Sequence, residues 1–330
     1  MSVHIIAEAG NNHNGDLDTA YRLVRAAKEA GADSVKFQII NPETLYVGKT
    51  WQDGKLADNP VIMQRRQSQL SDEQYGKIAA YCREVGVGFA ASVFDEHGVD
   101  LVCALDVPYI KIASGDSNHL PLLRYAAGKG RDIVLSTGMS EVPEIVRSVE
   151  ELARAGARGL VLMHCVSVYP SSLDIANLQF IDQLGALFNY PLGFSDHSPN
   201  SLAAVLALAK GCRWFEKHLT LDKSQEGFDH AYALEPEEFA GFTRDIADTG
   251  AALAYHREKL TEQEKGVSLR ARRSLYAARD LRTGEVIKAE DVLVLRPAGQ
   301  SAAADIDMFV GRVLRRGLKQ YENLTLEHIS

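Results

Sequence analysis

Residues 3–10 read VHIIAEAG, residues 17–31 read LDTAYRLVRAAKEAG, and residues 33–39 read DSVKFQI. The first and third are short apolar runs rich in Val and Ile, as expected of strands buried on both faces. The middle stretch carries apolar residues at helical spacing. It closes at Gly31, in the C′ position, where a left-handed backbone is favoured. Strand, helix and strand in this order predict a parallel βαβ unit.

The same alternation runs outward from this unit. SDEQ at 71–74 pairs an N-cap serine with Gln74 three places on, which predicts a helix start. The strands GVGFAAS, PYIKIAS, DIVLSTG, GLVLMHC, PLGFSD and CRWFEKHLT then alternate with helical patterns, the last near 235–258. Eight strand-then-helix units predict a TIM (β/α)8 barrel over residues 1–260 in preference to a doubly wound sheet. One long insertion, 41–70, is rich in Asn, Gln and Pro. The charged stretch leading into 261–271 reads as a linker. Residues 272–330 read as a small β-rich domain, with short alternating strands, a DLRTGE turn and a short helix near 305–310.

Composition excludes several classes. The chain has 330 residues, 46% hydrophobic and 24% charged, so it can bury a self-supporting core without disulfides. A formal charge of −8 argues against nucleic acid as a partner, because phosphate backbones require clustered Lys and Arg. No stretch approaches the roughly 20 apolar residues of a membrane span, and MSVHIIAEAGNNHNGD lacks the basic start of a signal peptide. A cytoplasmic protein is expected. Cys82, Cys103, Cys165 and Cys212 form no CxxC pair and are expected as free, buried thiols.

Barrel enzymes place their chemistry at the C-terminal strand ends, and polar residues collect there. Glu8 ends the first strand. Lys36 and Gln38 alternate on the second and so share a face. Ser92 ends the third, Lys111 and Ser114 the fourth, Ser136 the fifth. Ser167 and Tyr169 follow the sixth; Ser195 and His197 end the seventh; Glu216, Lys217 and His218 end the eighth. Two lysines, several hydroxyls and the turns SGD and STG are the ingredients of a phosphate site. A single serine is more often a turn or cap residue, whereas an unpaired ammonium inside a barrel is costly. Lys36 and Lys111 are therefore the informative cations. His197 and His218 end adjacent strands and are placed to share a divalent ion, with Asp229 nearby, although two histidines alone are as readily core residues. Two nitrogens completed by water and substrate oxygens suit Mn²⁺ or Mg²⁺ better than a closed zinc site.

Read in order, AEAGNNHNGD, VKFQ, YIKIASGD, LSTGMS, HCVSVYP, GFSDHS, EKHLTLD and GFDHAYALEPEEF resemble the N-acetylneuraminate (sialic acid) synthase family, legionaminic and pseudaminic acid synthases included. The tail, RSLYAARDLRTGEVIKAEDVLVLRP, is similar to the SAF (antifreeze-like) domain that ends those enzymes. The resemblance implies a synthase that condenses phosphoenolpyruvate with N-acetylmannosamine or a related amino-hexose and releases phosphate. It implies that Lys111, Ser114, Ser136, Ser195 and Ser92 hold the phosphate, with Lys36 near the carboxylate, and Ser167 is expected beside the same phosphoenolpyruvate. His197 and His218 are then ligands of a divalent metal, Mn²⁺ first and Mg²⁺ or Co²⁺ next. Glu8 is the acid/base, Gln38, Tyr169 and Asp229 contact the acceptor, and Arg296 reaches its acyl group. A domain-swapped homodimer is implied. The chain departs from the family pattern at Ser167, where Asn is common, and at Ser92-Val93, where Thr-Pro is common. Alternatives are a synthase of eight- or seven-carbon keto-deoxy acids and a non-catalytic barrel with a sugar-binding tail.

Overall fold

The computed structural model describes residues 3–254 and 259–330. Two compact units divide at Ala254/Tyr255. In the first, eight parallel strands close into a barrel: β1 (His4–Gly10), β2 (Ser34–Ile39), β3 (Gly88–Val93), β4 (Tyr109–Ile112), β5 (Asp132–Ser136), β6 (Gly159–Cys165), β7 (Leu192–Asp196) and β8 (Trp214–His218), with β8 pairing back onto β1. Helices α1 (Leu17–Glu29), α2 (Asp72–Val85), α3 (Glu96–Ala104), α4 (Leu120–Ala127), α5 (Val142–Arg154), α6 (Gln179–Leu187), α7 (Leu202–Ala209) and α8 (Pro236–Ala254) alternate with them. The expected last residues of the final helix, 255–258, lie outside the described residues.

Local chemistry sets the helix ends. Asp16 caps α1 by accepting from the Thr19 amide, and Gly31 beyond its end takes φ +86°. Ser71 and Gln74 form the reciprocal capping box of α2. The main core fills the layer between strands and helices; Leu23, Ile78, Leu152 and Phe239 are fully buried in it.

Inside the barrel the period-two alternation of each strand sorts side chains into layers. At the base, His4 stacks on Trp214 with centroids 4.1 Å apart, and Ser34 bonds both His4 and Tyr109. Ile6, Ala90, Tyr109, Val134, Val161 and Met163 pack above. The next residues along the same faces are Glu8, Lys36, Ser92, Lys111, Ser136, Cys165, Ser195 and Glu216, so the apolar plug ends where a polar layer begins.

The insertion at 41–70 is built rather than featureless. It holds two short helices, Pro42–Leu45 and Pro60–Gln67, around an antiparallel hairpin of Lys49–Gln52 with Lys55–Asp58. Asp53 and Gly54 both take positive φ in its two-residue turn, the conformation a tight hairpin requires.

In the second unit, β9 (Ser274–Ala277) pairs antiparallel with β10 (Val292–Leu295) over a core of Leu275, Leu281, Ile287, Phe309, Leu314 and Leu324. A short helix spans Ile306–Phe309. Residues 261–271, expected as a linker, hold helix α9 (Glu262–Ala271), started by a Thr261–Glu264 capping box. All four cysteines are free; Cys103 is half-buried rather than buried. No helix among the described residues is long and apolar enough to cross a membrane.

Candidate active site

Thirteen of the fourteen residues expected at the site line one cavity of about 310 Å³ at the C-terminal strand ends: Glu8, Lys36, Gln38, Ser92, Lys111, Ser114, Ser136, Ser167, Tyr169, Ser195, His197, His218 and Asp229. Register explains the convergence. Glu8 lies opposite Lys36 on one side and His218 on the other, Gln38 opposite Ser92, Ser92 opposite Lys111, and Cys165 opposite Ser195. The fourteenth, Arg296, belongs to the second unit and directly follows β10.

At the floor, Lys36 Nζ sits 2.5 Å from Glu8 Oε2, 2.8 Å from Ser92 Oγ and 3.5 Å from Glu216 Oε2. Lys111 donates to Ser136 Oγ at 2.7 Å and lies 3.9 Å from the same Glu216 oxygen. Ser195 donates to Glu216 Oε1 at 2.8 Å. Two ammonium groups and two carboxylates thus compensate one another where almost no water reaches. Burial pushes the Glu8 carboxyl up to about 7, against the pull of Lys36. Glu216 is also desolvated, but Lys111 and Lys36 outweigh that and hold it down at about 2. Burial draws the Lys111 ammonium below its ordinary value, against the opposing pull of Glu216. For Lys36, Glu216 and Glu8 outweigh burial and keep it charged.

Around this floor stand hydroxyls and a thiol. Ser114 Oγ accepts from the Gly138 amide at 3.1 Å and lies 3.0 Å from Cys165 Sγ, and Ser167 Oγ is buried with no partner. Free hydroxyls beside two ammonium groups form an anion cradle.

On another wall, the His197 and His218 rings lie 5.6 Å apart. His197 Nδ1 is 2.8 Å from the Val166 carbonyl, which only accepts, so Nδ1 carries the proton and Nε2 offers a lone pair. Burial lowers the His197 imidazole to about 4, and burial also lowers His218, so both are neutral, as metal ligands must be. His218 Nδ1 and Asp229 Oδ2, 3.8 Å apart, are both buried without a hydrogen-bond partner. Unsatisfied donor atoms of this type fit a divalent cation. Among the described residues no three His, Cys, Asp or Glu side chains close around an ion by themselves, so water and substrate oxygens would complete such a shell.

Gly10 permits Asp229 to come this close. It takes φ +51° at the bulge ending β1, and a Cβ there would lie 2.6 Å from Asp229 Oδ2.

Other polar residues at the strand ends face away. His164 bonds the Ala176 carbonyl and packs against Phe180 and Phe194, and Lys217 pairs with Asp196 beneath the Phe242 ring. Glu216, by contrast, is central, although the sequence alone gives it no role. Its spacing of two from His218 puts it on the same face, which is the signal that finds it. Tyr232, whose hydroxyl donates to Asp229 Oδ1 at 2.5 Å, also lines the cavity without a sequence signal of its own, and Arg65, from the insertion, lines it too.

Comparison with known proteins agrees with this geometry. The chain is 36% identical to N,N'-diacetyllegionaminic acid synthase of Legionella pneumophila, over 100% of this chain and 95% of that protein. It is 33% identical to N-acetylneuraminate-9-phosphate synthase of Homo sapiens, over 88% and 82%. The crystal structure of N-acetylneuraminic acid synthetase from Leptospira borgpetersenii, in complex with citrate, superposes with a TM-score of 0.73 at 29% identity, covering 81% of this chain and 90% of that one. Residues 272–329 match the SAF domain. Residues 23–258 match the NeuB family, and the chain belongs to it.

Proposed function

We propose that this enzyme condenses phosphoenolpyruvate with the aldehyde of N-acetylmannosamine or a related N-acyl amino-hexose, forming a nine-carbon sialic-acid-type product and inorganic phosphate. The observation that carries the reading is the union, in one cavity, of two buried lysines ringed by hydroxyls and two neutral imidazoles beside an unpartnered carboxylate. The first group matches an anionic phosphate ester; the second matches a divalent metal, Mn²⁺ first and Mg²⁺ or Co²⁺ next, held by His197 and His218.

In this reading Lys111, Ser114, Ser136, Ser167 and Ser195 take the phosphate; Ser92, expected on the phosphate, is bonded by Lys36 and goes with it to the carboxylate. The metal, when bound, supplies Lewis acidity at the aldehyde oxygen. C3 of phosphoenolpyruvate then bonds to C1 of the aldehyde, whose oxygen takes a proton and becomes a hydroxyl. Water adds at C2, and the resulting tetrahedral centre expels phosphate with the bridging oxygen, leaving the ketone. Glu8, with its carboxyl near 7, takes the proton of the attacking water. The fixed charges of Lys36 and Lys111 stabilise the anion throughout. Gln38, Tyr169 and Asp229 orient the acceptor.

The same reading includes a cytoplasmic homodimer in which the second unit of one subunit reaches the barrel of the other, bringing Arg296 to the acyl group. Light scattering tests the dimer, and Arg296→Ala is expected to raise the acceptor KM alone. Phosphate release from phosphoenolpyruvate, dependent on an added N-acyl hexosamine and on Mn²⁺, with the product mass read by mass spectrometry, tests the reaction. Release that needs no aldose, or none with any aldose, defeats it.

A further inference from the structure

The helix Pro60–Gln67 carries two adjacent arginines to different ends. Arg66 pairs with Glu43 at 2.5 Å on the exposed side. Arg65 turns into the cavity shared with Glu8, Gln38 and Asp229, and its Cζ lies 3.6 Å above the centroid of the Phe228 ring. Its Nε and Nη1 are closed off from solvent without a hydrogen-bond partner, and it pairs with no carboxylate among the described residues.

That arrangement is unfavourable in the empty protein. Buried guanidinium donors left unpaired cost more than the Phe228 face returns through its cation–π contact. Such groups are retained where a ligand completes them. Their position indicates which ligand. Phe228 adjoins Asp229, and the inserted helix follows β2, which carries Gln38, so Arg65 stands on the acceptor side of the cavity. The phosphate cradle is built from different elements, β4 to β7. The reacting centre already has Glu8, Lys36 and the two imidazoles, none of which hydrogen-bonds or pairs with Arg65.

We propose that Arg65, braced on Phe228, is a specificity-determining residue that donates hydrogen bonds to an oxygen on the acceptor's tail, the end of the sugar remote from its aldehyde. A phosphate ester, a hydroxyl and an acyl carbonyl all present that chemistry. The inference rests on the synthase reading for the identity of the acceptor. The inserted segment thereby acquires a function, since it carries the residue that tells one amino-hexose from another.

Calorimetric binding of N-acetylmannosamine, its 6-phosphate and a diacetamido-trideoxy hexose to the full chain with Mn²⁺, in wild type, Arg65→Ala and Arg65→Lys, tests it. The acceptor bound most tightly by wild type is expected to lose about 10- to 100-fold in affinity in Arg65→Ala, the worth of one or two hydrogen bonds from a charged donor. Phosphoenolpyruvate affinity is expected to stay within about twofold. Partial recovery in Arg65→Lys marks an anionic tail, because a point charge serves phosphate better than a neutral oxygen. Equal affinities of wild type and Arg65→Ala for every acceptor, or no binding of any acceptor to wild type, overturn the assignment. Arg65-dependent acceptor binding without phosphate release in wild type overturns the synthase reading and leaves this one standing.

Discussion

Nζ of Lys36 lies 2.5 Å from Oε2 of Glu8, with both side chains buried and their residues directly opposed across the β1–β2 ladder. Neither charge is affordable alone at that depth. Held together, and joined by Glu216, they let the fold keep a charged floor without substrate. The same pairing poises Glu8, because desolvation raises its carboxyl while the ammonium restrains the rise.

Glu8→Gln is expected to fold and bind phosphoenolpyruvate while losing on the order of 10²–10⁴ in turnover, the worth of a positioned general base. In wild type, kcat/KM is expected to fall as pH drops below about 7, where Glu8 gains its proton. Linkage gives a second check. Its folded value lies above the ordinary 4.5, so protonated Glu8 stabilises the fold at low pH, and that contribution fades as pH rises towards about 7. The Tm of Glu8→Gln relative to wild type should therefore improve from pH 5 to pH 8. A flat difference would show that Glu8 does not titrate there.

Lys111→Met is expected to lose on the order of 10²–10³ in kcat/KM, since the charge acts on the transition state through a dry pocket. It also leaves Glu216 with Lys36 alone, 3.5 Å away. Adding Glu216→Gln should recover the lost Tm without recovering turnover. A double variant as unstable as the single one would show that Lys111 is not balanced by Glu216.

The barrel was legible because buried parallel strands are apolar on both faces and each helix signals its ends. Period-two alternation made most of the cavity legible too: Lys36 with Gln38, and Ser195 with His197, share faces by spacing alone. Glu216 was within reach of the same rule, two residues before His218. What alternation cannot supply is which loop bends inward. Arg65 and Tyr232 depend on the path of the insertion and of the loop after β8, fixed by contacts distant in sequence, such as Asn14 Nδ2 to the Glu226 carbonyl. The hairpin inside 41–70 did carry a local signal, Asp53-Gly54, overshadowed by the surrounding Asn, Gln and Pro. At 261–271 the high charge masks the Thr261–Glu264 capping box, so the sequence alone does not signal the helix there.

Chelation is expected to abolish turnover, and added Mn²⁺ to restore it. Metal content supplies a readout independent of activity. Wild type dialysed against Mn²⁺ should retain the ion, while His197→Ala and His218→Ala should bind it at least about 10-fold more weakly. Asp229→Asn, which keeps the shape but removes the charge 3.8 Å from His218, should weaken retention less than either histidine variant. Full activity in excess chelator, or unchanged retention in both histidine variants, would remove the metal from this site.

Gly138 marks the tightest point of the anion cradle. A Cβ there would lie 2.4 Å from Ser167 Oγ, 2.7 Å from Cys165 Sγ and 2.8 Å from Ser114 Oγ. These are distances no carbon atom tolerates, so all three side chains must move. The backbone at Gly138 has no left-handed requirement, since its φ lies outside the positive region. Gly138→Ala should therefore disturb the site far more than the chain's path. With Ser114 and Ser167 displaced, phosphoenolpyruvate loses hydroxyl donors while Lys111 and Lys36 stay in place. The expected outcome is a raised KM for phosphoenolpyruvate and a fall on the order of 10²-fold in kcat/KM, the scale of a misplacement of about 1 Å, with acceptor binding retained. An unchanged KM for phosphoenolpyruvate would mean that the phosphate does not sit against Gly138.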